Sequence, residues 1–192
     1  MKPPFVVELL ADHDREEFSC GTAALDRYFK SQVTQDVRRH VTNCFVALEV
    51  ETAAIAGYYT IAAASIPTPA VPEAVTKKLP RYPSVPAIRV GRLAIDSRFQ
   101  GKGLGGALLA DAAARGLRAE AAAFAMLVDA KDAQAVAFYE HHGFVALESQ
   151  PRTMFLALAT AGKALSAGSG EKKRQRDSAL ISQSSISKSV KS

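Results

Sequence analysis

The sequence predicts one α/β domain in which strands of a central sheet and helices form a single core. Two observations predict this class. Apolar runs bounded by turn residues alternate with segments of helical period, and a central apolar strand is followed by closely spaced glycines and a helix. A length of 192 residues with 48% hydrophobic content suits one packed core. We assign residues 1–161 to this domain and residues 162–192, rich in Ser and Lys, to a disordered basic tail.

The first elements are predicted to be a strand, a helix and a hairpin. Phe5-Val-Val-Glu-Leu-Leu10 is a short apolar run typical of a strand. A helix is expected after Thr22, a suitable N-cap, because leucine, aromatic and valine residues recur there at helical spacing. The apolar runs 43–51 and 53–64 predict two antiparallel strands joined by a tight turn.

The second half contains the glycine loop and the elements that close the sheet. Repeated prolines at 67–86 indicate an extended loop with room for a short helix at 73–78. A strand is predicted at 87–95, and the helical period that follows the glycines predicts a helix at 104–120. The remaining predicted elements are a buried strand at 124–128, a helix at 133–142 ended by Gly143, and strands at 144–148 and 152–158.

Charge and cysteine content exclude several classes of protein. Seven of the 24 Lys and Arg residues but two of the 19 Asp and Glu residues fall in 163–192, so the rest of the chain is neutral. The overall basicity is therefore weak support for nucleic-acid binding by the domain. Two cysteines form neither a disulfide framework nor a metal set. With no signal-peptide core or membrane-length apolar run, we expect a cytoplasmic protein without a metal or a membrane partner.

The glycine loop has the pattern Gln100-x-x-Gly103-x-Gly105 and lies directly between a strand and a helix. Glycine lets the chain turn tightly and approach a ligand, and a helix N-terminus offers N–H donors to a pyrophosphate. A dinucleotide-binding fingerprint would require an acidic residue about 20 positions later, at a strand end. Glu120 has that spacing but follows a helical run, so it matches poorly.

A second motif follows about 30 residues later, since residues 132–144 read DAQAVAFYEHHGF. Together with the glycine loop, this segment resembles the GCN5-related N-acetyltransferase (GNAT) family. The resemblance implies the GNAT fold, a central mixed, mostly antiparallel sheet flanked by helices, and acetyl-coenzyme A as donor. It places the pyrophosphate on the amides of residues 100–105 and pairs the pantetheine, like an added strand, with the backbone of residues 93–95. The implied cofactor residues are Leu93, Ala94, Ile95, Gln100, Gly101, Lys102, Gly103, Leu104, Gly105, Gly106, Asp132 and Phe138, although Asp132 replaces the Asn that the family often carries.

Tyr139 has a chemical role under this resemblance. A phenol is a hydrogen-bond donor and a weak acid, so it suits protonation of the departing coenzyme A thiolate. The alternative is an aromatic ring that packs beside Phe138 and only lines the pocket. His141 and His142 are expected at the surface, because they fall at the end of the helix.

The acceptor amine must be uncharged when it attacks. Deprotonating a lysine at neutral pH costs about 4 kcal/mol, whereas an α-amine is substantially neutral already. The segment 89–95, RVGRLAI, contains no carboxylate, although many relatives place one in this strand. This favours an easily deprotonated amine and leaves open a base elsewhere, such as a chain of water molecules.

A further resemblance covers residues 5–158. The segments 18–29 (FSCGTAALDRYF), 42–46 (TNCFV) and 138–144 (FYEHHGF) resemble the TacT- and AtaT-like toxin branch of the family. That branch implies acetylation of the α-amino group of aminoacyl-tRNA, which stops translation. It also implies a ribbon-helix-helix (DUF1778-like) antitoxin that binds operator DNA, and a homodimer.

Basic residues supply candidate tRNA contacts, because phosphates pair with Lys and Arg. The candidates are Arg27, Lys30, Lys77, Lys78, Arg89 and Arg92. The alternative is scattered, solvated charge. Two other functions remain open at this point: an acetyltransferase that acts on a protein N-terminus or a small amine, and a non-catalytic co-repressor.

Overall fold

A seven-stranded sheet organises residues 4–168, the part of the chain that the computed structural model describes. Its strands are β1 (Phe5–Leu9), β2 (Asn43–Glu49), β3 (Ile55–Pro67), β4 (Ser84–Ile95), β5 (Ala125–Asp129), β6 (Val145–Leu147) and β7 (Gln150–Ala157). Their order across the sheet is β1-β2-β3-β4-β5-β7-β6. Neighbours are antiparallel except β4 and β5, which are parallel. The predicted mixed, mostly antiparallel sheet flanked by helices is confirmed.

Helices connect and flank these strands. They are α1 (Ala23–Arg27), α2 (Val33–Arg38), α3 (Glu73–Thr76), α4 (Leu104–Arg118) and α5 (Ala133–His141), with a π-helix at Tyr28–Gln32 between α1 and α2. Among the described residues, no helix is long and apolar enough to cross a membrane.

The chain beyond β7 continues as a helix through residues 158–168. Residues 162–168, which the sequence analysis assigns to the disordered tail, are therefore part of this helix. Leu158 and Ala161 are buried in the main core, and this packing explains why the helix continues past the end of the sheet. Residues 169–192 of the predicted tail lie outside the described residues.

Strand β4 begins earlier than the sequence predicts, within the proline-rich segment. It pairs with β3 from Gly57↔Ile95 to Pro67↔Ser84, while its pairing with β5 starts only at Ala87. Pro86 therefore lies where β4 has a partner strand on one side. On the other side its carbonyl oxygen accepts a hydrogen bond from Phe124 N at 2.8 Å, just before the pairing with β5 begins, so the proline marks the start of that pairing.

The segment α1–α2 is held against the sheet by aromatic packing. The rings of Phe29 and Tyr58 stack with centroids 4.1 Å apart and planes 4° apart, and both side chains are fully buried. The Tyr58 hydroxyl donates a hydrogen bond to the Leu25 carbonyl oxygen at 3.0 Å. These contacts place the start of α1 beside the end of β4.

Helix α4 is fixed on the sheet by its apolar face and by one polar cluster. Leu108 and Ala112 are fully buried in the main core. The Tyr59 hydroxyl donates a hydrogen bond to Asp111 at 2.6 Å, and Arg115 Nε donates to the same carboxylate at 2.8 Å. The N-terminus of α4 is thereby held at the end of β4.

Strands β4 and β5 diverge in the middle of the sheet. Their parallel pairing ends at Val90↔Val128, while β4 continues to Ile95 with β3 as its partner. Gly91 is an extra residue at this point, because Thr60 pairs with Arg92 and Ile61 pairs with Val90. Such a bulge bends a strand and re-aims its side chains. The divergence opens a cleft between β4 and the elements that follow β5.

Candidate active site

A cavity of about 790 Å³ occupies this cleft. Its walls are the end of β4, the glycine loop with the start of α4, the end of β5, and α5. Of the cofactor residues expected from the family resemblance, those that line it are Leu93, Ala94, Ile95, Gln100, Gly101, Gly103, Leu104, Gly105, Gly106, Asp132 and Phe138. Tyr139 lines it as well. The sequence-predicted segments thus meet around one cavity.

The glycine loop is open to this cavity. Gly101 and Gly103 have φ angles of +74° and +77°, the left-handed conformation that favours glycine. A Cβ atom added at either position would meet no atom within 4 Å, so the space beside the loop is free. Gly103 is the N-cap of α4, and the first N–H groups of a helix have no partner within it. The loop therefore presents amide donors to the cavity.

Two polar side chains hold the loop in this position. Gln100 Nε2 donates hydrogen bonds to the carbonyl oxygens of Ile95 at 2.9 Å and Cys20 at 3.0 Å. Asp96, only 1% exposed, accepts hydrogen bonds from the backbone N–H groups of Ser19 and Arg98. Burial alone would raise the pKa of Asp96, but hydrogen bonds from Arg98 and Ser19 lower it below its ordinary value. The carboxylate thus stays charged and ties β4 to the segment before α1.

Tyr139 lies on α5 with its ring between Phe138 and Phe144, at centroid distances of 5.3 and 5.4 Å. The side chain is buried, and within residues 4–168 its hydroxyl has no hydrogen-bond partner. Burial and, secondarily, the negative charge of Asp129 raise the pKa of Tyr139 to about 12. At neutral pH the hydroxyl is therefore protonated and available to donate to a ligand.

Asp132 and Phe138 have structural functions in addition to lining the cavity. Asp132 is the N-cap of α5, and its Oδ1 accepts a hydrogen bond from Ala135 N at 2.8 Å. One carboxylate oxygen is therefore committed to the helix. A Cβ atom at Gly105 would lie 3.1 Å from the Phe138 ring, so the glycine allows α4 and α5 to approach closely.

Lys102 is the one predicted cofactor residue that does not line the cavity. Its side chain is exposed, and its ammonium nitrogen lies 5.4 Å from the centroid of the Phe99 ring. The side chain extends from the loop toward Phe99, although its backbone belongs to the loop itself.

The predicted basic residues do not converge on the cavity. Arg92 lines it, and its guanidinium carbon lies 3.5 Å from the Tyr28 ring centroid in a cation–π contact. Arg89 forms an ion pair with Asp129, a residue of the cavity wall. The remaining four are exposed and do not line it: Arg27, Lys30, Lys77 and Lys78. Lys77 instead pairs with Glu73 at 3.1 Å.

His141 is exposed, as expected, and His142 is half-buried, but both also line the cavity. The His142 ring packs 4.7 Å from the Phe138 ring, and a Cβ atom at Gly106 would lie 2.5 Å from its Cε1. Burial and then the neighbouring His141 lower the pKa of His142 below its ordinary value. The end of α5 therefore packs on the start of α4, a contact that no local sequence signal marks.

The sequence analysis also missed one wall of the cavity. Other lining residues lie around α1, at the end of β5 and in the segment that follows it: Cys20, Thr22, Leu25, Asp129, Lys131, Gln134 and Ala135. Lys131 Nζ lies 3.4 Å from Thr22 Oγ1 and links these two parts. Thr22 is the N-cap of α1, as predicted, but makes no capping hydrogen bond with its side chain. Within residues 4–168, no three His, Cys, Asp or Glu side chains are grouped to hold a metal ion.

Comparison with known proteins identifies relatives of this chain. A family model described as "Acetyltransferase (GNAT) domain" matches residues 10–156. A "Probable toxin TacT" from Sinorhizobium fredii (strain NBRC 101917 / NGR234) is 31% identical over 157 residues, which cover 77% of this chain and 87% of the relative. A "tRNA-acetylating toxin" from Mycobacterium tuberculosis (strain ATCC 25618 / H37Rv) is 32% identical over 150 residues, covering 77% and 88%.

Solved structures of related toxins have the same fold as this chain. The structure of AtaT complexed with acetyl-methionyl-tRNAfMet has a TM-score of 0.76 at 25% identity and covers 84% of this chain and 99% of that chain. The structure of AtaTR bound with AcCoA has a TM-score of 0.70 at 26% identity and covers 84% and 98%. Since the family model spans most of the described domain and both sequence relatives exceed 30% identity, the chain belongs to the GNAT family of acetyltransferases.

Proposed function

We propose that this chain is the toxin of a type II toxin–antitoxin module and transfers an acetyl group from acetyl-coenzyme A to the α-amino group of aminoacyl-tRNA. The observation that carries the proposal is the Tyr139 hydroxyl, protonated and unpartnered within the described residues, in one cavity with an open glycine loop. The TacT and tRNA-acetylating relatives, which match over most of their length, support this acceptor.

The fit of acetyl-coenzyme A is supported by two features of the cavity. The loop at Gly101 and Gly103 and the first turn of α4 offer amide donors and the positive end of a helix dipole to the diphosphate. Beyond Val90, no strand of the described residues pairs with one side of β4, so residues 93–95 can pair with the pantetheine amides. The AcCoA-bound AtaTR structure supports the same ligand.

The reaction then needs an acid at the thioester sulfur. As the acceptor nitrogen attacks the carbonyl carbon, the carbon–sulfur bond breaks and negative charge develops on sulfur. The Tyr139 hydroxyl donates its hydrogen bond to this sulfur and transfers its proton as the thiolate leaves. A pKa of about 12 keeps the phenol in the protonated form that this role requires.

The proposed partners follow from the acceptor and from the relatives. Acetylation removes the nucleophilic amine that the ribosome needs, so aminoacyl-tRNA is the substrate and the cytoplasm is the place of action. We propose a homodimer neutralised by a ribbon-helix-helix (DUF1778-like) antitoxin, which alone contacts operator DNA. Of the basic residues proposed to contact tRNA, Arg92 has the strongest support because it lies in the cavity wall.

The test compares Tyr139→Phe with Tyr82→Phe, a matched loss of a hydroxyl at an exposed site outside the cavity. Tyr139→Phe is expected to lower acetylation of charged tRNA by about 10²–10⁴-fold, the usual contribution of a general acid. Its affinity for acetyl-coenzyme A, measured by titration calorimetry, should persist, and Tyr82→Phe should behave as wild type.

Acceptor choice is tested with charged tRNA, peptide N-termini and polyamines side by side. Preference for a peptide or a polyamine would overturn the tRNA assignment. Absence of acetyl-coenzyme A binding would instead favour a non-catalytic co-repressor. Full activity of Tyr139→Phe would remove the acid role.

A further inference from the structure

Strand β4 offers no carboxylate to the acceptor amine, but β5 does. Asp129 is the last residue of β5 and follows the final parallel pair, Val90↔Val128. Its side chain is 51% exposed and lines the same cavity as Tyr139. A carboxylate therefore stands at the point where the two strands diverge.

Neighbouring strands hold this carboxylate from two sides. Its Oδ2 forms an ion pair with the guanidinium group of Arg89 on β4, and its Oδ1 accepts a hydrogen bond from Thr153 Oγ1 on β7 at 2.8 Å. Each carboxylate oxygen has capacity for a second hydrogen bond. The group is thus fixed in orientation but keeps acceptor sites for a ligand.

Asp129 also interacts electrostatically with the acid. Burial is the main cause of the raised pKa of Tyr139, and the negative charge of Asp129 is the second cause, so the two groups lie within interaction range. Asp132, the other cavity carboxylate, is less suited because Oδ1 caps α5. Arg89 pairs with Asp129 directly, and the other ionisable residues that line the cavity with it are Cys20, Arg92, Lys131, Asp132, Tyr139, His141 and His142.

We propose that Asp129 binds the α-ammonium group of the acceptor and takes up its proton, the role that β4 fills with a carboxylate in many relatives. This inference rests on the proposed function. Asp129 takes one proton from the ammonium group and holds it while the neutral nitrogen forms the bond to the acetyl carbon. As the carbon–sulfur bond breaks, Tyr139 protonates sulfur, and the second nitrogen-bound proton restores the Tyr139 hydroxyl. Asp129 then releases its proton to solvent. The net products are an N-acetyl group, free coenzyme A and one proton.

The experiment uses Asp129→Asn, which keeps the size of the side chain and an acceptor for Thr153. Glu140→Gln is the matched control, because it removes the same charge from α5 beside Tyr139 but outside the cavity. We expect Asp129→Asn to lower kcat/KM for charged tRNA by about tenfold at neutral pH, because only about a tenth of an α-amine with a pKa near 8 is already neutral there. Acetyl-coenzyme A affinity should remain, and Glu140→Gln should match wild type.

The pH profile separates proton transfer from a structural role. Wild type should have a flat kcat/KM between pH 6 and 7.5, because the enzyme takes the ammonium form. Asp129→Asn depends on amine that is already neutral, so its rate should rise about tenfold per pH unit up to the amine pKa. A purely structural loss would lower the rate equally at each pH.

The Arg89→Gln background tests whether Asp129 acts only by holding Arg89. If Asp129 only holds Arg89, Asp129→Asn would cause no further loss of kcat/KM in the Arg89→Gln variant, and the inference would fail. An unchanged fold-loss in both backgrounds supports it. If wild type acetylates charged tRNA and Asp129→Asn equals it, this inference alone is overturned. If wild type acetylates no charged tRNA, the proposed function falls, and this assignment falls with it.

Discussion

Gly103→Ala tests whether the glycine loop binds the cofactor diphosphate. Gly103 has a φ angle of +77°, and an added Cβ atom meets nothing within 4 Å. The substitution therefore causes no steric collision, and its cost is the left-handed conformation imposed on alanine. That cost is about 1–2 kcal/mol, which corresponds to a fall in Tm of roughly 2–8 °C for a domain of this size.

Gly143→Ala is a matched control for this backbone cost. Gly143 has a φ angle of +87°, and its nearest neighbour to an added Cβ atom is Leu156 Cδ1 at 3.7 Å. It lies after α5 and does not line the cavity. Both variants should therefore show a similar fall in Tm, while only Gly103→Ala alters the proposed diphosphate site.

The two variants should differ in binding. Alanine at Gly103 shifts the loop toward ordinary dihedral angles and misaligns amides next to the first turn of α4. Losing one charge-assisted hydrogen bond costs about 1.5–3 kcal/mol, so the Kd for acetyl-coenzyme A should rise by about 10–100-fold. Titration calorimetry of both variants measures this difference. If Gly103→Ala is destabilised but binds acetyl-coenzyme A as tightly as Gly143→Ala, the loop is not the diphosphate site.

Two further predictions concern stability. Tyr59→Phe removes a buried hydrogen bond to Asp111, which keeps its hydrogen bond from Arg115. The free energy of unfolding measured in urea should therefore fall by about 1.5 kcal/mol. An unchanged urea midpoint would contradict this. Burial, and then His141, lower the pKa of His142, so the folded chain takes up a proton less readily than the unfolded chain. The stability that the neutral His142 ring provides is complete above its ordinary pKa of 6.5 and is lost as the pH falls toward the folded-state pKa. The urea midpoint should therefore fall between pH 7.5 and 5.5 more steeply in wild type than in His142→Gln, and equal slopes would refute the assignment.

Local patterns in the sequence predicted the parts of the site that depend on short-range geometry. Glycines before a helical run mark the turn at 100–106, and helical spacing places Tyr139 on α5. The glycine turn and Tyr139 reach the cavity because each belongs to a segment in which a strand, a loop and a helix follow one another directly: β4 to α4 for the turn, and β5 to α5 for Tyr139. All of the predicted cofactor residues except Lys102 therefore line the cavity.

Long-range packing determines what the sequence did not show. His142 reaches the cavity because the end of α5 packs on Gly106, and Asp129 does so because β5 stops pairing with β4 at Val128. Neither contact has a periodic signal in the chain. The early start of β4 has the same origin, because pairing with β3 draws Pro86 into the sheet. The positions of the basic residues also depend on tertiary structure. Of the six predicted to contact tRNA, only Arg92 lines the cavity.

The divergence of β4 and β5 has a consequence for the apo protein. Past Val90, β4 retains β3 as its partner while its other side borders the cavity. Peptide groups on that side depend on water or a ligand for saturation. Amide protons in residues 91–95 that exchange readily in the empty protein should become slow on cofactor loading, so the domain melts at a temperature set by acetyl-coenzyme A concentration. A cell rich in this metabolite would then hold a more protease-resistant form of the protein than a starved one.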